Sequence, residues 1–328
     1  MEKKNPGTER KVCVTGAAGF FASWLIKVLL QLGYHVTGTV RDPGNSRKVA
    51  HLWALEGAKD RLQLVKANLC EEGSFDSSIL GCEGVFHTAC PVSVQKSDPK
   101  AEIIDPTVQG TLNVLRSCKR NPFLRRVVLT SSSAAVRIRE DIHSSSVLDE
   151  SSWSSEELCE RLKLWYALAK TLAEKAAWEF AKENHIDLVT VVPTFIIGPI
   201  LPPGLSLTAS DVLGLLRGET QQFSLHGRMG YLHIDDAARC HVLVYEHAAA
   251  NGRYICSSSV LDNHELAARI AKRYPWLPIP KRFDESYGKV PAYTFDTSKL
   301  LKMGFQFKEI EEMFDDFIQS LKEKGYEI

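Results

Sequence analysis

From Lys11 onward, short β-branched runs alternate with amphipathic stretches, the pattern of a parallel sheet covered by helices on both faces. The runs Lys11–Thr15, His35–Val40, Leu62–Ala67, Gly84–Thr88, Arg126–Ser131 and Asp187–Val192 predict strands. Between the first two, Leu25, Val28, Leu29 and Leu32 recur at helical spacing and predict a helix over Phe20–Leu32, which completes one βαβ unit. A longer helix, rich in Ala, Leu, Lys and Glu, is expected from Leu164 to Glu183.

The pattern changes after Pro193, where Pro199, Pro202, Pro203 and Gly204 interrupt any βαβ repeat and a second, smaller lobe begins. Tyr231–Ile234 and Arg253–Ser257 predict two further strands of the sheet, while Glu265–Tyr274 and Glu309–Lys324 predict covering helices. The expected architecture is therefore α/β: a doubly wound parallel sheet of the Rossmann type with an interleaved C-terminal lobe. Residues 8–192 with about 229–257 would hold a dinucleotide, and about 193–228 with 258–328 would hold the substrate. The serine-rich segment Ser144–Ser155 reads as a surface loop.

Composition narrows the function. The chain has 328 residues, 44% hydrophobic and 24% charged, so it can bury a sizeable core and is neither fibrous nor disordered. Forty cationic side chains balance forty acidic ones with no basic block, which argues against nucleic-acid and anionic-membrane partners and leaves a small neutral or acidic ligand. Eight cysteines without a C-x-x-C pair read as reduced thiols in a cytosolic protein. Met1–Arg10 reads as a frayed tail without the features of a secretory signal. The longest apolar stretch, Leu188–Leu201, is broken by Pro193, Gly198 and Pro199, so no transmembrane segment is expected. No N-x-[ST] acceptor occurs.

The first strand runs into Thr15-Gly16-Ala17-Ala18-Gly19-Phe20-Phe21-Ala22, a G-x-x-G-x-x-A turn between strand and helix. Gly16 permits the tight turn, Gly19 lets the backbone approach a pyrophosphate, and Ala22 lets helix and strand pack closely. The second strand ends in Val40-Arg41 with Lys48 seven residues on, two cations suited to a ribose 2′-phosphate and hence to NADPH rather than NADH. Asp42 is the counter-indication, since it could bind a free ribose or merely cap the loop before Pro43.

Tyr166 and Lys170, at i and i+4 on the long helix, share one face. Thr130-Ser131-Ser132-Ser133 lies at the carboxyl end of a predicted parallel strand, where open α/β sheets place ligands. A hydroxyl, a phenol and an ammonium behind a dinucleotide turn make a carbonyl-reduction site, because hydride arriving at a ketone carbon leaves charge on oxygen that must be stabilised and protonated. Tyr166 would be the acid, Ser132 would orient the oxygen, and Lys170 would hold the nicotinamide ribose. Bringing a phenol from ~10 to neutrality takes about 4 kcal/mol, which Lys170 and the positive nicotinamide are expected to supply.

These features together resemble the extended short-chain dehydrogenases/reductases, and within them the plant dihydroflavonol 4-reductase-like group. Supporting stretches run from Val12-Cys13-Val14-Thr15-Gly16 through Gly84-Val85-Phe86-His87-Thr88-Ala89 and Lys170-Thr171-Leu172-Ala173-Glu174 to His233-Ile234-Asp235-Asp236. Arg41-Asp42-Pro43-Gly44-Asn45, Thr208–Leu216 and Pro278–Phe283 carry a finer likeness to the branch that reduces tetraketide α-pyrones. The resemblance implies a catalytic trio of Ser132, Tyr166 and Lys170. It implies cofactor contacts at Gly16, Ala18, Gly19, Phe20, Phe21, Arg41, Lys48, Asn68, Leu69, Thr88, Tyr166, Lys170 and Pro193. It also implies NADPH as cofactor, a polyketide-derived ketone of the sporopollenin pathway as substrate, association with other enzymes of that pathway, and a cytoplasmic location that includes the cytosolic face of the endoplasmic reticulum. One position departs: relatives carry an acid where this chain has Asn68, whose amide oxygen can still accept from an adenine amino group.

On the substrate side, Arg137, Phe195, Leu213 and Tyr231 are candidates. Arg137 stands where dihydroflavonol reductases carry asparagine, and its guanidinium is suited to the enolate of an acidic 4-hydroxy-α-pyrone. Phe195, Ile197, Leu213 and Leu216 would wall an alkyl chain. Within the enzyme class the alternative is a dihydroflavonol or phenylpropanoid aldehyde reductase, although Lys163–Lys170 differs from the N-W-Y-C-Y-G-K signature of cinnamoyl-CoA reductases. Outside it, the alternative is a non-catalytic NADP(H)-binding sensor. Other polar residues read as structural: Asp235 and Asp236 as helix caps, His87 as a hydrogen-bonded core imidazole, Cys90 as a buried thiol. His233, His241 and His247 match no metal-ligand spacing, with the latter two expected on a helix face near solvent, and no metal is expected.

Overall fold

The computed structural model describes residues 10–91, 98–143, 145–284 and 291–328; the expected frayed tail lies almost wholly outside them. Seven strands form the main sheet: β1 (Lys11–Val14), β2 (His35–Val40), β3 (Leu62–Lys66), β4 (Gly84–His87), β5 (Arg126–Thr130), β6 (Leu188–Pro193) and β7 (Gly252–Cys256). Their spatial order is β7-β6-β5-β4-β1-β2-β3, and every pair is parallel. The order reverses between β1 and β4, which opens a crevice at their carboxyl ends.

Burial on both faces explains the near-continuous apolar runs in these strands. On one face, helix α1 (Phe20–Gln31) supplies Leu25, Ile26 and Leu29 and meets Ala237, Ala238 and Val242. On the other, Val114 and Leu115 of α2 (Asp105–Lys119) and Ala177 and Ala181 of α3 (Trp165–Glu183) cover Cys13, Val85 and Val127. Helix α4 (Leu207–Leu216), α5 (Ile234–Glu246), α6 (Asn263–Arg273) and α7 (Ile310–Glu323) follow. Capping boxes start the last two, Asp262 with Glu265 and Glu309 with Glu312. A separate apolar core gathers Val212, Leu216, Leu266, Ile270, Phe314 and Phe317.

Two expectations need correction. The strand around Tyr231, observed as Met229–His233, does not join the main sheet. It is the middle strand of a separate three-stranded sheet, parallel to Phe195–Ile197 and antiparallel to Ser259–Leu261. The serine-rich segment is not merely a loop. Ser146–Leu148 pairs in parallel with Tyr293–Phe295, and Ser152 and Ser154 are buried. A long-range partner, invisible in local pattern, sets each of these short strands.

Candidate functional site

The turn after β1 is built for close approach. Gly16 has φ +71°, and a Cβ there would lie 3.1 Å from Ala89, so the position requires glycine. Gly19 caps α1 without any side-chain hydrogen bond, so the cap residue itself leaves the helix amide end free to meet an anion. The Thr15 hydroxyl fastens the neighbouring strand end: it accepts from the amides of Thr88 and Ala89 at 3.1 and 3.0 Å and lies 2.9 Å from His87 Nδ1. His87 is buried and hydrogen-bonded as expected, and burial, with the Lys170 charge adding, holds it neutral by pushing it down to about 3. A helix N-terminus behind a glycine cradle fits the pyrophosphate of a dinucleotide.

Arg41 and Lys48 stand exposed just beyond β2, and Asp42 accepts from the Gly44 amide at 3.0 Å, a local turn bond. Asn68 is committed locally: its Nδ2 donates to Glu71 at 2.7 Å and its Oδ1 accepts from the Cys70 amide at 3.2 Å. Leu69 packs against Gly110, where a Cβ would come within 2.9 Å. Phe20 and Phe21 are half-buried at the start of α1, and the Phe21 ring lies 4.7 Å from the His241 ring. Pro193 ends β6, beside β7.

The catalytic candidates converge at the carboxyl end of β5. Ser132 follows the strand, and its Oγ accepts from the Ala134 amide at 3.2 Å. Lys170 is buried on α3, and its Nζ donates to the Thr130 carbonyl at 2.7 Å. Tyr166 is 44% exposed, and its phenol lies in the neighbourhood of Ser132, Lys170 and Cys90. Burial raises the phenol above its ordinary value, more than the Lys170 ammonium and the Ser132 hydroxyl lower it, and Cys90 adds an upward push. The chain's own groups therefore do not bring Tyr166 to neutrality. Cys90, expected buried, is half-exposed instead.

On the substrate side, Phe195 meets the rings of Phe223, His226 and Tyr231. Leu213, Ile197 and Leu216 are buried in the same apolar core that Phe195 packs against. Arg137 is half-buried, and its charge reaches the phenols of Tyr231 and Tyr293, the latter donating its hydroxyl to the Arg228 carbonyl at 3.2 Å. The Tyr231 hydroxyl is buried with no hydrogen-bond partner among the described residues.

Several polar residues differ from expectation. His241 is fully buried rather than near solvent: Nδ1 donates to the Ala237 carbonyl at 2.7 Å and Nε2 accepts from Thr130 Oγ1 at 2.8 Å. Burial pushes it down to about 4. His247 is exposed just past the end of α5. The cap of α5 is His233, whose Nδ1 accepts from the Asp235 amide at 3.0 Å. Asp235 instead accepts from the Trp24 indole at 3.0 Å. Asp236 is fully buried, accepts from the Lys308 amide at 2.7 Å, and is pushed up to about 6 by burial. Among the described residues, no cluster could hold a metal ion and no helix is long and apolar enough to cross a membrane.

A family model described as the NAD dependent epimerase/dehydratase family matches residues 12–256. The tetraketide alpha-pyrone reductase 1 of Arabidopsis thaliana is 64% identical over 316 residues, 96% of either chain. The crystal structure of vestitone reductase from alfalfa, Medicago sativa, is similar with a TM-score of 0.84 and 37% identity, over 97% of this chain and 99% of that one. Yeast methylglyoxal/isovaleraldehyde reductase Gre2 complexed with NADPH gives a TM-score of 0.82 at 27% identity, over 96% of this chain and 99% of that one.

Proposed function

The chain belongs to the NAD dependent epimerase/dehydratase family, and we propose that it is an NADPH-dependent ketone reductase acting on the side-chain carbonyl of tetraketide α-pyrones. The observation that carries the reading is the meeting of Ser132, Tyr166 and Lys170 at the end of β5, beside the glycine cradle, in a chain 64% identical to a tetraketide α-pyrone reductase. Bound NADPH would supply hydride to the ketone carbon. Gly16 and Gly19 would receive the pyrophosphate, with Ala18, Phe20 and Phe21 around it, and Arg41 and Lys48 would meet the 2′-phosphate. Asn68, Leu69, Thr88 and Pro193 would border the adenine and nicotinamide ends.

Ser132 holds the ketone oxygen, and Tyr166 delivers its proton as charge develops there. A phenol kept above its ordinary value is fully protonated at neutral pH, the state an acid needs before reduction. Lys170, anchored on the Thr130 carbonyl, keeps a positive charge beside the phenolate left behind and would reach the nicotinamide ribose. Arg137 would pair with the pyrone enolate, with Tyr231 donating its spare hydroxyl and Phe195 and Leu213 on the apolar side.

In this reading, residues 8–192 with about 229–257 serve the cofactor, apart from Arg137 and Tyr231, which face the substrate, and the remainder shapes the substrate side. The free thiols among the described cysteines accord with a cytoplasmic enzyme working at or near the cytosolic face of the endoplasmic reticulum, alongside other enzymes of the sporopollenin precursor pathway. An NADPH-oxidation assay with a tetraketide α-pyrone, a dihydroflavonol and a cinnamoyl thioester tests the proposal. Preference for the pyrone supports it. Preference for either other substrate, or no turnover of any, contradicts it.

A further inference from the structure

Beneath the proposed trio lies a buried ion pair that the chemistry above does not use. Glu174 stands four residues beyond Lys170 on α3 and is 1% exposed, and Arg253 on β7 is 6% exposed. Arg253 Nε donates to Glu174 Oε1 at 2.8 Å and Nη2 to Oε2 at 3.3 Å. The same carboxylate accepts from Ser131 Oγ at 2.5 Å and from Thr190 Oγ1 at 2.8 Å. The remaining guanidinium nitrogen, Nη1, donates to the carbonyls of Glu150 and Ser152 at 2.8 and 2.7 Å, and the Trp153 ring lies 3.8 Å from the guanidinium carbon.

The bonding continues toward the substrate side. Ser154 donates its hydroxyl to the Ala134 carbonyl at 2.8 Å and accepts from the Ile138 amide at 2.9 Å. Its own amide donates to the Ala135 carbonyl at 2.9 Å. One ion pair therefore links three segments: the helix bearing Tyr166 and Lys170, the strand end bearing Ser132, and the 134–138 segment bearing Arg137. Buried pairs are weak sources of net stability compared with apolar residues of the same volume, whereas their directional bonds fix geometry.

We propose that the Glu174–Arg253 pair, acting through Ser131 and Ser154, is a positioning device that sets Ser132 against Tyr166 and Lys170 for proton delivery to the ketone oxygen. This rests on the assignment of those three as the catalytic trio. Glu174, Arg253 and Ser131 touch none of the reacting atoms and act through their neighbours.

Two small changes test it in the holoenzyme. Ser131→Ala cuts the link between strand and helix while leaving the ion pair, and Glu174→Gln removes the charge at nearly constant volume. The readouts are kcat per NADPH-binding site with a tetraketide α-pyrone, the primary isotope effect with 4-deuterated NADPH, NADPH affinity and melting temperature. Misplacing the acid should lower kcat about tenfold or more and raise the isotope effect, while NADPH affinity stays as in the parent. Unchanged kcat and isotope effect with only a lower melting temperature would make the pair merely structural and overturn the proposal. Should Glu174→Gln fail to fold, Ser131→Ala decides alone. Tyr166→Phe is measured alongside. Parental turnover in that variant would refute the trio, and the proposal with it. An inactive Tyr166→Phe beside an undiminished Ser131→Ala would refute the positioning role alone.

Discussion

Replacing Arg137 by alanine removes a cation that acts on the phenols of both Tyr231 and Tyr293, the latter also facing Arg228. The side chain is half-buried, lies near the Tyr293 phenol, and is paired with no carboxylate among the described residues. Its charge is thus available to an anionic substrate, and a hydroxypyrone ring is largely ionised at neutral pH. Losing one partner of a desolvated charge pair costs ~2 to 5 kcal/mol, and partial exposure favours the lower end. At 1.4 kcal/mol per decade, a loss of about 2 kcal/mol is about 30-fold in kcat/KM. The assay compares kcat/KM of parent and Arg137→Ala on a tetraketide α-pyrone and on a neutral ketone of similar size. The pyrone alone should suffer. An equal loss on both substrates, or none on either, would remove Arg137 as the enolate partner.

Three further outcomes are expected. Arg41→Ala should weaken NADPH binding about tenfold or more while leaving NADH nearly untouched, as calorimetry with each cofactor would show, because only the former carries the phosphate. Reduction should be flat through neutral pH and decline only in the alkaline range, whereas NADP-driven alcohol oxidation should climb with pH, since burial keeps the Tyr166 phenol protonated. Acid should destabilise the fold. His87 and His241, held at about 3 and about 4, stay neutral when folded, so unfolding takes up two protons below about 6.5. Asp236, raised to about 6, works the other way and releases one proton on unfolding as pH falls from there toward about 4. These three groups together contribute a loss of about 1.4 kcal/mol per pH unit between about 6 and 4, and Asp236→Asn should steepen the acid dependence seen in urea melts.

The main sheet was legible because its inner strands are buried on both faces and so read as apolar runs, with Val12, Cys13 and Val14 wholly enclosed. The glycine turn and the Tyr166–Lys170 spacing were legible for a related reason: each depends on contiguous residues, and local geometry places them. What escaped was decided by distant partners. Three-residue strands such as Phe195–Ile197 and Ser146–Leu148 carry too few residues to show a period, and their pairing comes from Met229–His233 and Tyr293–Phe295. His241 shares the buried face of α5 with Ala237, Ala238 and Val244, and Thr130 and Phe21 enclose its ring. Glu174 and Arg253 lie 79 residues apart, so neither charge advertises the other.

The central claim is that this chain transfers hydride from NADPH to the side-chain ketone of a tetraketide α-pyrone, with Tyr166 supplying the proton. The direct measurement incubates the enzyme with 4-deuterated NADPH of known configuration and the pyrone, then locates the label by mass spectrometry and NMR. One deuterium should appear on the side-chain carbinol carbon with the parent enzyme, and product should all but vanish with Tyr166→Phe. Deuterium in the ring, unlabelled product from both NADPH epimers, or undiminished product from Tyr166→Phe would contradict it.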